Sequence, residues 1–119
     1  MDNVVLIVED DAGLWPMYRY VLKDITYPLM FARTGEEAFK LLKSEQPILI
    51  FLDVRLPLMN GEDILSYIHG VPRLATTPVI ITTSMREDEL HIPGAYYLRK
   101  PIKPETIRDY AQRLLHISA

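Results

Sequence analysis

Glu9, Asp10 and Asp11 stand directly after an apolar run, Val4-Val5-Leu6-Ile7-Val8, and Asp53 stands directly after another, Ile48-Leu49-Ile50-Phe51-Leu52. Thr82-Thr83-Ser84 follows Val79-Ile80-Ile81, and Lys100-Pro101 follows Tyr96-Tyr97-Leu98-Arg99. If the first and third runs lie side by side, Asp10 and Asp53 face one space with Glu9 close by. Crowded carboxylates repel one another and need a compensating charge. A hard divalent ion supplies it, and Mg2+ favours a few carboxylates, a carbonyl and several waters, which leaves room for a phosphoryl group. Lys100 adds a fixed cation, and the Thr83 hydroxyl can donate a hydrogen bond to a phosphoryl oxygen. Asp53 is then a candidate nucleophile, because a carboxylate can accept a phosphoryl group as an acyl phosphate.

The elements that would position these residues follow from the apolar runs. Short, continuous, β-branched runs read as strands buried on both faces, which indicates a parallel sheet covered by helices. In such sheets ligands bind beyond the carboxyl ends of the strands, so the four polar endings converge on one rim, with Lys100 expected there as an exposed charge. The chain has 119 residues, 49% of them apolar, which suffices for one domain spanning residues 1–119 with its own core. The alternation of strand and helix signals points to an α/β fold, a doubly wound sheet of five parallel strands. There is no cysteine, hence no disulfide framework or thiolate metal site. No apolar stretch is long enough to span a bilayer, and Met1-Asp2-Asn3 leads into the first strand without a signal-like region. A cytoplasmic protein without membrane attachment is the expectation. The net charge is −3 with Lys and Arg scattered, which argues against direct nucleic-acid binding.

Helix signals lie between the runs. Leu14, Tyr18, Val21, Leu22 and Ile25 repeat at helical spacing. Pro16 is tolerated only in a first turn, so regular helix starts near Trp15 or Ala12-Gly13 forms an irregular lead-in. Pro28 to Ala32 reads as a weak second strand. Thr34 and Glu37 have capping-box spacing ahead of Ala38, Leu41 and Leu42. Pro57 and Gly61 form a turn before Ile64, Leu65 and Ile68, and Pro104 opens a last helix with Ile107, Tyr110, Ala111, Leu114 and Leu115 inward. Asp11 reads as a helix N-cap, Thr82 as facing away from the pocket, Arg55 as a solvated loop side chain and Trp15 as a packing residue. His69, His91 and His116 share no ligand spacing.

At these positions the chain resembles the receiver domain of bacterial two-component response regulators along its whole length. Glu9-Asp10 is similar to the family's acidic pair, Asp53 to its phosphoacceptor, Thr83 to its switch hydroxyl and Lys100-Pro101 to its lysine and following proline. Asp53-Val54-Arg55-Leu56-Pro57-Leu58-Met59-Asn60-Gly61 matches the family's D-x-x-L-P-x-x-x-G loop. The resemblance implies a flavodoxin-like strand order 2-1-3-4-5. It implies Mg2+ held by Asp10, Asp53 and the backbone carbonyl of Arg55, with Glu9 acting through water, and a cis Lys100-Pro101 bond. It further implies a switch in which Thr83 moves toward a modified Asp53 and Tyr97, three residues before Lys100, turns inward.

The implied function is signalling rather than enzymatic. Asp53 would accept a phosphoryl group from a sensor histidine kinase or histidine phosphotransfer protein, and the domain would then switch a surface toward an unknown downstream protein. A homodimer is possible within this family. The placement of Met1 and the end of the chain at the last helix lead us to expect a stand-alone receiver. The alternative is a receiver-like interaction module that works without regulated phosphorylation. A haloacid-dehalogenase-type phosphatase also uses an aspartyl nucleophile, but it needs a second aspartate where Arg55 stands. One departure from the family is clear: only 17 positions separate Thr83 from Lys100, which shortens the fourth helix to at most about two turns between Ser84 and Pro93-Gly94.

Overall fold

The computed structural model describes residues 2–56, 59–84 and 95–115. β1 (Asn3–Val8), β2 (Leu29–Ala32), β3 (Gln46–Asp53), β6 (Val79–Thr83) and β7 (Tyr96–Arg99) form one parallel sheet in the order β2-β1-β3-β6-β7. Counted alone, these five strands have the order 2-1-3-4-5 of the flavodoxin-like fold, as expected. Two short strands, β4 (Arg55–Leu56) and β5 (Met59–Asn60), pair antiparallel in the loop after β3. The helices are α1 (Trp15–Val21), α2 (Gly35–Ser44), α3 (Gly61–Gly70) and α4 (Pro104–Leu114). The shortened helix expected between Thr83 and Lys100 lies outside the described residues, as do Pro57, His91 and His116.

Strand alternation sends side chains to two separate cores. Leu6, Val8, Ile50, Leu52, Val79 and Ile81 face α2 and α3, where Ala38, Leu42, Ile64, Leu65 and Ile68 meet them. Val5, Ile7, Leu49, Phe51, Ile80 and Leu98 face α1 and α4 and pack on Tyr18, Val21, Leu22, Ile107 and Ala111. These are the helical stripes read from spacing. At the strand starts the register of β1 on β3 slips between Val4, opposite Pro47, and Val5, opposite Leu49. Pro47 has no N–H to give to a ladder, and an irregularity beside it is how a sheet accommodates that.

Both readings of the start of α1 hold. Ala12–Leu14 forms one 3-10 turn, capped by the Asp11 carboxylate accepting from the Gly13 N–H at 2.9 Å. Regular helix begins at Trp15, with Pro16 in its first turn where no intrahelical N–H is lost. At α2 the Thr34 Oγ1 accepts from the Glu37 N–H at 3.1 Å, while the Glu37 carboxylate reaches past Thr34 to the Arg33 N–H at 2.7 Å. That is one residue beyond the usual capping-box partner. Gly61 is required by close approach, since a Cβ there would lie 2.4 Å from the Val54 Cα. Among the described residues, no helix is long and apolar enough to cross a membrane.

Candidate functional site, an acidic pocket at the carboxyl ends of the strands

Parallel strands that end together place their following residues together. Glu9 leaves β1 with its N–H still bonded to the Ala32 carbonyl at 2.9 Å, so the residue stays in the sheet's frame while its side chain is 1% exposed. Asp53 is the last residue of β3 and 5% exposed. Lys100 follows β7, donates its backbone N–H to the Thr83 carbonyl at 2.7 Å, and joins Pro101 through a cis peptide bond, as expected. The Lys100 Nζ lies 2.7 Å from Glu9 Oε1 and 2.9 Å from Asp53 Oδ2. The other carboxylate oxygens are held by backbone: Asp53 Oδ1 accepts from the Arg55 N–H at 2.9 Å, and Glu9 Oε2 from the Asp11 N–H at 3.2 Å. Asp10, half-buried, completes the group, and Glu9, Asp10 and Asp53 each offer an oxygen within 4.8 Å of the others.

One ammonium therefore bridges two of the three carboxylates. Burial pushes the Glu9 carboxyl above its ordinary range; the Lys100 hydrogen bond, the Asp11 N–H and the Lys100 charge oppose this, and the Asp53 charge adds to it. Burial alone would lower the Lys100 pKa, but its bonds to Glu9 and Asp53 and their charges outweigh burial and raise it. The donors are all hard oxygens, carry more negative charge than Lys100 offsets, and sit close enough to share one ion. That donor set fits Mg2+ and excludes a soft-metal site. Glu9 and Asp53 each have both oxygens engaged, so among the described residues the Asp10 carboxylate is the one left open for direct ligation.

Asp53, Glu9, Asp10 and Lys100 thus come together from three distant segments, the ends of β1, β3 and β7, and the Arg55 backbone joins them through its N–H. The Arg55 side chain is exposed. Thr83 ends β6, is 1% exposed, and borders the pocket through its carbonyl. Tyr97 is half-buried against the α2/α3 core. Two placements differ from the sequence reading. Lys100 is an enclosed charge rather than an exposed rim cation, because its side chain is only 23% exposed between two buried partners. Thr82 pairs with Asp53 in the β3/β6 register and so shares its face, the α1 side, while Thr83 alternates to the face of Ile81 and Tyr97.

Two participants escaped the sequence reading. The Tyr18 side chain, 1% exposed, hydrogen-bonds the Thr82 side chain beneath the pocket, and burial together with the Glu9 and Asp53 charges holds its phenol above the usual range. The Trp15 indole N–H donates to the Glu9 carbonyl at 3.1 Å. The signal for Tyr18 was a hydroxyl on an otherwise apolar helical stripe. For Trp15 there was none, since a bond across six positions depends on the shape of the 3-10 turn between them.

A 2-1-3-4-5 parallel sheet carrying an acidic cluster and a lysine at its carboxyl rim defines the CheY-like receiver class. The response regulator receiver domain family model matches residues 5–112, and the chain belongs to that family. It is 31% identical over 119 residues to the polar-differentiation response regulator DivK of Brucella ovis, covering 92% of this chain and 97% of DivK. It is 27% identical over 123 residues to the transcriptional regulatory protein PhoP of Bacillus subtilis, covering 99% of this chain and 50% of PhoP. The chain thus spans about half the length of that relative. Among solved structures, the chemotaxis response regulator CheY4 of Vibrio cholerae superposes with a TM-score of 0.82 at 28% identity, covering 96% of this chain and 98% of CheY4. Receiver domains are signalling phosphoacceptors of two-component systems and bind Mg2+ at an acidic pocket.

Proposed function

We propose that Asp53 is the phosphoacceptor of a Mg2+-dependent signalling domain, charged from the phosphohistidine of a sensor histidine kinase or histidine phosphotransfer protein. The observation that carries this reading is the Lys100 ammonium bridging buried Glu9 and Asp53 with Asp10 alongside. An Asp53 oxygen attacks phosphorus, the phosphorus–nitrogen bond breaks, and the imidazole leaves with that electron pair. Asp10, Asp53 and the Arg55 carbonyl would hold the metal, and Glu9 would act through water. When bound, Mg2+ offsets charge on the phosphoryl oxygens. Lys100 exchanges its contact with Asp53 for one with a phosphoryl oxygen, and the Arg55 N–H keeps the carboxylate in line. The same groups assist later hydrolysis of the acyl phosphate.

Thr83 and Tyr97 are the proposed switch, supported by their position on one face of the sheet at its rim. Residues 1–119 act in this reading as one receiver unit in the cytoplasm, where ATP-driven kinases supply phosphohistidine, and signal to a downstream protein by contact, with homodimerisation one form of that contact. The test is acetyl phosphate treatment with Mg2+, followed by mass spectrometry. The expected result is a single added phosphoryl group on Asp53, absent without Mg2+ and in Asp53→Ala. No uptake by the wild type would favour an interaction module acting without regulated phosphorylation.

A further inference from the structure

Asp10 has the least support of the three carboxylates in the pocket. Glu9 and Asp53 are clamped by Lys100 and by backbone N–H groups, whereas no such bond to the Asp10 side chain occurs among the described residues. Its direction must therefore come from its backbone. The peptide joining Glu9 to Asp10 is a rigid plane that carries the Glu9 carbonyl at one end and the Asp10 N–H at the other. Holding that carbonyl orients the plane and restricts the rotations on either side of it, and so narrows the directions in which the Asp10 side chain can leave.

The group that holds it is the Trp15 indole N–H, at 3.1 Å. Trp15 is itself braced. Its ring stacks on Phe31 with centroids 4.9 Å apart and planes 30° apart, and the Arg19 guanidinium lies 4.6 Å from the centre of the same Phe31 ring. Phe31 pairs with Ile7 in the β1/β2 register, and the next β2 residue, Ala32, accepts the Glu9 N–H. The peptide on either side of Glu9 is thus fixed from β2, once directly and once through Trp15. We propose that Trp15 is a positioning residue for the metal site: its N–H locks the Glu9–Asp10 peptide so that the Asp10 carboxylate is presented beside Glu9 and Asp53.

This rests on the Mg2+-dependent reading above. Two variants of the full chain test it. Trp15→Phe keeps an aromatic ring beside Phe31 and removes the N–H. Replacing Trp15 with benzothienylalanine, in which sulfur stands in place of the N–H of an otherwise similar bicycle, removes the donor alone. Mn2+ affinity is read by electron paramagnetic resonance, metal-free stability by urea unfolding, and beryllofluoride uptake as a function of Mg2+. The expected result is metal affinity about tenfold weaker in both variants, as for other groups that orient ligands from behind. Saturating Mg2+ should restore the wild-type extent of uptake. A role in packing alone predicts a lower unfolding midpoint with unchanged affinity, and wild-type affinity in either folded variant overturns the proposal. Failure of the wild type itself to bind Mn2+ would instead overturn the metal reading beneath it.

Discussion

An ammonium that touches two buried carboxylates at 2.7 and 2.9 Å is part of the pocket's electrostatic balance as well as a group for chemistry. Removing it leaves Glu9 and Asp53 facing each other with no cation between them and only the Asp11 and Arg55 N–H groups to hold them. Lys100→Met should destabilise the metal-free fold by about 2 kcal/mol at neutral pH, between the ~0–1 of an exposed pair and the ~3–5 of a fully buried one. The pH dependence has a definite sign. The Lys100 pKa is raised in the folded state above 10.5, so its contribution is complete below that value and is lost as pH climbs through the higher folded value. The stability difference between wild type and Lys100→Met should be flat from about pH 7 to about pH 9 and shrink above 10.5. Urea unfolding of both proteins checks this, since the tyrosines common to both cancel in the difference. A gap that widens with alkalinity would mean Lys100 is not held by these carboxylates.

At the scale of elements, α3 is tied to the pocket through its first residue. Gly61 donates its N–H to the Val54 carbonyl at 3.0 Å, and a Cβ there would also stand 3.1 Å from the Asp53 carbonyl. Both obstacles are backbone, which cannot swing aside as a side-chain tip does. Gly61→Ala should therefore lower stability by about 1–3 kcal/mol through forced displacement of the loop after Asp53. Gly70→Ala, at the other end of the same helix with nothing within 4 Å of its Cβ position, should be neutral or stabilising by up to ~1 kcal/mol. Chemical unfolding of the two variants gives the comparison; equal midpoints would refute the close-approach argument. Local signals made these elements legible. The Asp11 and Thr34 caps, the Pro16 first turn and the stripes of α1 to α4 involve residues within a few positions of each other. The Arg73 side chain was not legible in this way. It reaches from the turn before β6 to the carbonyls of Leu42 and Glu45 at the end of α2, about thirty positions away, and satisfies groups the helix itself leaves open.

For the whole molecule, the proposed metal site would link ion binding to folding. An ion held only by the folded arrangement of Glu9, Asp10 and Asp53 stabilises that arrangement by mass action, by about 2.7 kcal/mol at a hundredfold excess over its Kd. Mg2+ should raise the thermal midpoint of the wild type and have little effect on Asp10→Asn, measured by calorimetry. Equal shifts in both would place the ion elsewhere. The same dependence on the folded whole explains how far reading the chain alone could go. Residue order determined that four apolar runs end on carboxylates, hydroxyls and a lysine, that helices alternate with them, and that the motif set is that of a receiver. Those properties are carried by residue type and by spacing along a few turns of backbone. Tertiary structure alone decided that Lys100 is enclosed, that Thr82 shares the Asp53 face, and that Trp15 grips the Glu9 carbonyl. The Lys100 contacts span 91 and 47 positions, and the depth and facing of a side chain follow from where strands and helices finally rest against one another.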